Sequence, residues 1–141
     1  MNIKEVTKIS IKSHEGFRLE PYRCTENHLT GGYGHKLLVG EQVPKTKEGW
    51  EEVFEKDFNN AWSNTEQFCE THNLPDNEEM MSILCEMIFQ LGFTGVSNFK
   101  MMIEALKIQN MEEAHLQMKD SKWHQQTTNR CESLAERMRN A

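Results

Sequence analysis

EGFRLEPYRCTENHLTGGYGH, residues 15–35, decides how this chain is read. In it Glu15, Cys24 and Thr30 follow one another at spacings of nine and six residues. A carboxyl can give its proton to a leaving glycosidic oxygen, and a group with a hydroxyl can hold and activate a water. Tyr22 stands between Glu15 and Cys24. Residues 30–35, TGGYGH, place three glycines where strand and turn backbone must bend tightly.

Outward from this stretch the chain reads mostly as helix. Ile3, Val6 and Ile9 recur at helical spacing, and residues 17–39, with Pro21, Asn27 and glycines between short apolar pieces, read as a small sheet whose turn lies in residues 24–30. Residues 46–72 set Trp50, Val53, Phe54, Phe58, Ala61 and Trp62 on one side of a long helix, with Thr46 as its cap and Pro75 as its stop. Asp76 and Glu79 mark a new helix start. The run MMSILCEMIFQLG that follows is apolar nearly all round, as a fully surrounded helix should be, and Gly92 and Gly95 close it. Shorter helices are expected at 97–109, 111–119 and 128–140. The methionines at 80, 81, 87, 101 and 102 read as flexible core filler, Trp50 and Trp62 as helix packing.

The chain has 141 residues, enough for one domain with a substantial core. Its 37% apolar and 27% charged residues carry aromatics and clustered apolar runs, which excludes a disordered segment. No stretch is expected to span a membrane, and the start reads as an amphipathic helix rather than an export signal. Acidity is concentrated: residues 48–79 hold ten Asp and Glu against one Lys, a net of −9, which leaves +3 for the rest of a chain at −6. Cys24 with His28, and Cys69 with His72, offer zinc ligands in two close pairs. Neither follows Cys-x2-Cys spacing, so no metal and no other cofactor is expected, and the four cysteines read as reduced thiols.

A second block lies further on: Ile88 through Gly92, Thr94-Gly95-Val96, Phe99, then Ser121-Lys122-Trp123 and Gln126 through Arg130. With Glu15, Cys24, Thr30 and Gly32-Tyr33-Gly34-His35, these positions give a chain that resembles the phage lysozymes of the T4 endolysin type, from about residue 5 to residue 139. The resemblance implies an α+β, mostly helical fold in a single domain, residues 1–141. A small lobe with a short antiparallel sheet (13–45) and a larger helical lobe (73–141 with the N-terminal helix) would be joined by a long helix (46–72), with a cleft between the lobes. It also implies a monomeric muramidase that cuts the β-1,4 bond between N-acetylmuramic acid and N-acetylglucosamine in peptidoglycan, with no nucleic-acid partner and no membrane span. Such enzymes wait in the host cytoplasm until a separate permeabilising protein releases them.

The same resemblance assigns roles. Glu15 would be the general acid, Thr30 would hold the attacking water, and Arg130 would pair with Glu15. Inversion follows if acid and water groups stand roughly 6.5 to 9.5 Å apart. Tyr22, Phe89, Gln90, Phe99, Gln117 and Thr127 would contact substrate, although Lys36, Met102 and Gln117 replace the family's contact types. Cys24 stands where relatives carry aspartate or cysteine, and could be a thiolate nucleophile or base, a weak water positioner, or a passive small residue. His35 would be a structural partner for an acidic residue on the long helix. A binding protein that keeps the fold without turnover, and a chitinase-like hydrolase, are the rival readings.

Overall fold

The computed structural model describes residues 1–25 and 27–141; Glu26, in the expected turn, lies outside them. Among the described residues are helices α1 (Ile3–Glu15), α2 (Lys47–Thr71), α3 (Glu78–Ser97), α4 (Lys100–Lys107), α5 (Met111–Lys119), α6 (Lys122–Gln126) and α7 (Thr128–Arg139). Strands β1 (Arg18–Arg23), β2 (Leu29–Gly32) and β3 (His35–Lys36) form one antiparallel sheet in the order β1-β2-β3. This is the α+β, mostly helical class expected. The chain divides into two compact units, Lys8–Asn60 and Met1–Thr7 with Ala61–Ala141, so the division cuts α1 and α2 rather than falling at their ends.

In the sheet-bearing unit, Pro21 sits in edge strand β1, where its missing N–H is tolerated, and the β1–β2 register is irregular between Arg18 and Tyr22. The sheet lies on Trp50. A Cβ added at Gly31 would come within 2.6 Å of the indole ring, and one at Gly32 within 2.8 Å, so only glycine permits the contact. Trp50 Nε1 donates to the Leu19 carbonyl at 2.9 Å, which fixes the ring under the strands.

Helix α1 packs through lysines rather than through the apolar series that marks it as a helix. Val6 and Ile9 are exposed, while Thr7 and Ile11 are buried. In the sheet-bearing unit Lys8 lies 5.2 Å from the Phe58 ring and 2.9 Å from Glu55, and Lys12 lies 4.9 Å from the Phe54 ring and 2.6 Å from Glu51. Each stem covers an aromatic face while its charge meets both the ring and a carboxylate. In the helical unit Lys4 likewise stands over a ring, that of Trp62, at 5.5 Å. The expected α2 stripe is present, with Trp50, Phe54, Phe58, Ala61 and Trp62 buried and Thr65 and Phe68 extending it. Thr46 caps the helix by accepting from Gly49 N–H at 3.0 Å.

In the helical unit α3 is the core element, buried continuously from Ser82 to Ile88. Its cap is Asn77, one residue after the expected Asp76, and Asn77 Oδ1 accepts from Met80 N–H at 2.9 Å. Gly92 does not close it. Its backbone, at φ 81° and ψ 163°, is open only to glycine; it kinks the element, and helical residues resume to Ser97. By length and composition α3 could cross a membrane, but half of its apolar window is buried as core.

One carboxylate, Glu86, is fully buried in that apolar helix, and Arg137 answers it. The guanidinium also reaches Glu79 at 2.8 Å and donates to Ser82 Oγ at 3.2 Å. Thr7 gives its proton to the Ile3 carbonyl at 2.6 Å, so Ser82 donates to Thr7, also at 2.6 Å, and a chain of hydrogen bonds runs from Arg137 into α1. Buried His115 turns Nδ1 to the Ala135 carbonyl at 2.7 Å, which leaves Nε2 to accept from Arg139 at 3.0 Å. Met80, Met87 and Met102 are core filler as expected, whereas Met101 is exposed. All four cysteines are thiols, none of them in a disulfide. Burial pushes the thiol of Cys69 up to about 11, and those of Cys85 and Cys131 to about 12.

Candidate active site

Glu15 is the last residue of α1. Gly16, at φ 70°, donates its N–H to the Lys12 carbonyl at 2.9 Å and turns the chain into β1. The carboxyl meets the turn between β2 and β3: a Cβ at Gly34 would collide with Oε2 and stand 2.9 Å from Cδ. Gly34 also has φ 75°. The glycine is required twice over, by its backbone conformation and by the room the carboxyl takes.

Thr30 lies in the middle strand, buried, opposite Tyr22 on β1 and Lys36 on β3. Its hydroxyl donates to the His28 carbonyl at 3.0 Å, which leaves the oxygen's lone pairs as acceptors. Cys24 follows β1, half-buried, its N–H donating to the same His28 carbonyl at 2.9 Å. One carbonyl thus ties Cys24 to Thr30. Tyr22 carries the Arg18 guanidinium 4.5 Å above its ring.

Tyr33, between the two turn glycines, donates to Glu51 at 2.8 Å, and burial together with that carboxylate raises its hydroxyl above the ordinary 10. The hydrogen bond from Lys12 holds Glu51 below the usual carboxylate range. His35 has its expected partner on α2: Nδ1 is 2.7 Å from Asp57, and Nε2 is 2.8 Å from Glu41. The hydrogen bond with Asp57 dominates, and the imidazole is raised to about 9. His35 is therefore a cationic clamp at neutral pH.

The other candidate residues belong to the helical unit. Gln90 and Thr127 meet, Nε2 donating to Oγ1 at 3.3 Å, and Trp123 Nε1 donates to Gln90 Oε1 at 3.0 Å. Thr127 Oγ1 in turn donates to the Trp123 carbonyl at 3.2 Å. Phe99 stands edge-on to Trp123, with centroids 6.0 Å apart. Phe99 and Gln117 line a cavity of about 550 Å³ whose wall also includes Met102, Lys100 and Lys122. Gln117 leans on Glu113 at 2.8 Å, Phe89 is half-buried, and Arg130 lies in the first turn of α7 with Nε and Nη2 shielded from solvent. The role of Trp123 in holding Gln90 is not legible in a motif. A lone indole N–H in a packed segment signals only that some acceptor must exist.

The family model described as Phage lysozyme matches residues 12–141. The chain belongs to the phage lysozyme family. Two relatives from Dictyostelium discoideum, named probable T4-type lysozyme 2 and probable T4-type lysozyme 1, are 31% and 30% identical to this lysozyme-family chain, each over 87% of both sequences. The peptidoglycan hydrolase gp36 of Pseudomonas phage phiKMV is 27% identical over 88% of the chain, which spans 14% of that protein. Within this phage lysozyme fold, Glu15, the Gly34 turn, Thr30 and Cys24 share one compact unit, and Gln90, Phe99, Gln117, Thr127 and Arg130 share the other.

Proposed function

We propose that this chain is a peptidoglycan lysozyme, a glycoside hydrolase that cuts the β-1,4 bond between N-acetylmuramic acid and N-acetylglucosamine. The observation that carries the proposal is the glycine turn fitted against the Glu15 carboxyl, in a chain matched over residues 12–141 by the phage lysozyme family. A turn that would collide with any added carbon restricts where the carboxyl can sit, as a general acid requires. The relatives named as lysozymes and as a peptidoglycan hydrolase support the substrate.

In this reading Glu15 gives its proton to the leaving oxygen, and Arg130 pairs with it before substrate enters. Thr30, whose own proton goes to His28, accepts a hydrogen from the attacking water. Its carbonyl neighbour Cys24 helps to position that water as a thiol. Tyr22 and the helical residues Phe89, Gln90, Phe99, Gln117 and Thr127 bind glycan. The enzyme acts as a monomer, and a separate permeabilising protein releases it from the host cytoplasm to reach the wall.

The test is clearing of purified cell wall, with mass spectrometry of the fragments to read which sugar carries the new reducing end. Wild type should release fragments ending in N-acetylmuramic acid, Glu15→Gln should abolish release, and Thr30→Ala should slow it by roughly 10- to 1,000-fold. Retained wall binding with no fragments from wild type, or undiminished release by Glu15→Gln, would overturn the proposal.

A further inference from the structure

Residues 37–41 form a tight turn beyond β3. Leu38 N–H donates to Glu41 Oε1 at 2.9 Å, Glu41 N–H donates back to the Leu38 carbonyl at 3.0 Å, and Leu37 N–H donates to the Leu29 carbonyl at 2.9 Å. The other Glu41 oxygen faces His35 Nε2 at 2.8 Å, and His35 is moored to Asp57 on α2 at 2.7 Å. Gly40, at φ 82°, closes the bend. This much restraint serves no core: Leu38 is 76% exposed, Val39 fully so, and Leu29 at the adjoining strand end is 36% exposed. Single exposed apolar residues need no explanation, but consecutive ones held out on a pinned turn do.

Exposed cations stand at this end of the sheet, in a chain whose net charge is −6. Arg23, exposed and in register with Leu29, stands at the same end of the sheet, as does exposed Lys36.

We propose that the 37–41 turn is a membrane-docking tip, which places Leu38 and Val39 in the interface of a bilayer rich in anionic phospholipid while Arg23 and Lys36 meet the headgroups. Anionic wall polymers match the charge equally well. A hydrated polymer, however, offers nothing to a fully exposed valine, whereas acyl chains remove it from water. Because the turn is already tied, little conformational freedom remains to be lost on insertion. The tip would hold the chain at the membrane face beside the wall, whether or not the glycan chemistry is as proposed.

The test is co-sedimentation of the full chain with phosphatidylglycerol vesicles and, separately, phosphatidylcholine vesicles. The chain should partition onto the anionic vesicles only, with salt weakening it. A Leu38→Ser/Val39→Ser double variant should lose about 10-fold or more in partition with an unchanged melting temperature. A Val39→Trp variant should shift its emission to the blue on the same vesicles, a readout that does not depend on losing a side chain. Failure of the wild type to sediment, equal partition of the double variant, or unshifted emission would overturn the proposal. So would a wild-type dimer in analytical ultracentrifugation that the double variant abolishes, since the tip would then belong to a second copy.

Discussion

The sheet-bearing unit secures its key residues with bare backbone and half-exposed charge, and the helical unit secures its own with buried side chains. Glu15 meets a turn where any added carbon would collide, and His35 is clamped at the surface between Asp57 and Glu41. Gln90, by contrast, is gripped by Trp123 and Thr127, and Arg137 compensates a carboxylate with no solvent contact. A backbone-built position tolerates no added atom, whereas a side-chain network yields in steps. Buried charge couples the helical unit to the presence of a partner, and half-exposed charge couples the sheet-bearing unit to pH.

The largest break should come from Arg137→Met. It strands Glu86 without its cation, and chemical denaturation should show a loss of about 3 to 5 kcal/mol. Glu86→Gln added to it should recover part of that loss.

Next is the pH dependence of the clamp. His35 rises from 6.5 to about 9 on folding, so its contribution is complete below the unfolded value and is lost as pH climbs through 9. That shift corresponds to about 3 kcal/mol in stability measured at pH 6 and at pH 10, and His35→Gln should flatten the profile. Glu41 acts in the other direction. Held low chiefly by the Leu38 N–H, its carboxylate contributes at neutral pH and loses its hold in acid.

Gly34→Ala should lower wall-clearing activity by about 100-fold through displacement of the Glu15 carboxyl. A melting temperature that falls only a few degrees would separate this from unfolding. The smallest effect belongs to Trp123→Phe, which removes one donor from Gln90. It should raise KM by about 5-fold with kcat nearly unchanged, the equivalent of about 1 kcal/mol. If Trp123→Phe proved as damaging as Gly34→Ala, the contrast between the two kinds of positioning would collapse.

What was legible in the sequence follows the same division. Periodicity exposed the α2 stripe and both limits of α5, because apolar side chains there face one way along an uninterrupted helix. It found the helix α1 but not its buried face, since Val6 and Ile9 face water and lysine stems cover the aromatic partners, a packing that hydropathy scores as polar. Gly92 looked like a stop because glycine both ends and kinks helices, and only its neighbours' contacts decide which. The five residues of α6 are too few to show a period. Glu86 was the missed signal: one carboxylate in a run apolar on every side demands a cation from elsewhere in the chain. Of the candidate site, the glycine turn beside Glu15 could be read from the motif. The Trp123–Gln90 bond, 33 residues apart in the chain, could not.

The way the units divide the chain has a consequence for synthesis. The sheet-bearing unit is one unbroken stretch, Lys8–Asn60, but the helical unit needs Met1–Thr7 together with everything after Asn60. Residues 1–7 therefore leave the ribosome ahead of the partners they need and wait for segments made after Asn60. The sheet-bearing unit can form in the meantime, and its own ends are joined when it does, since Lys8 rests on Glu55 and Phe58. Folding in that order closes the long loop early, so Thr7 no longer has to find Ser82 from the far end of a random coil.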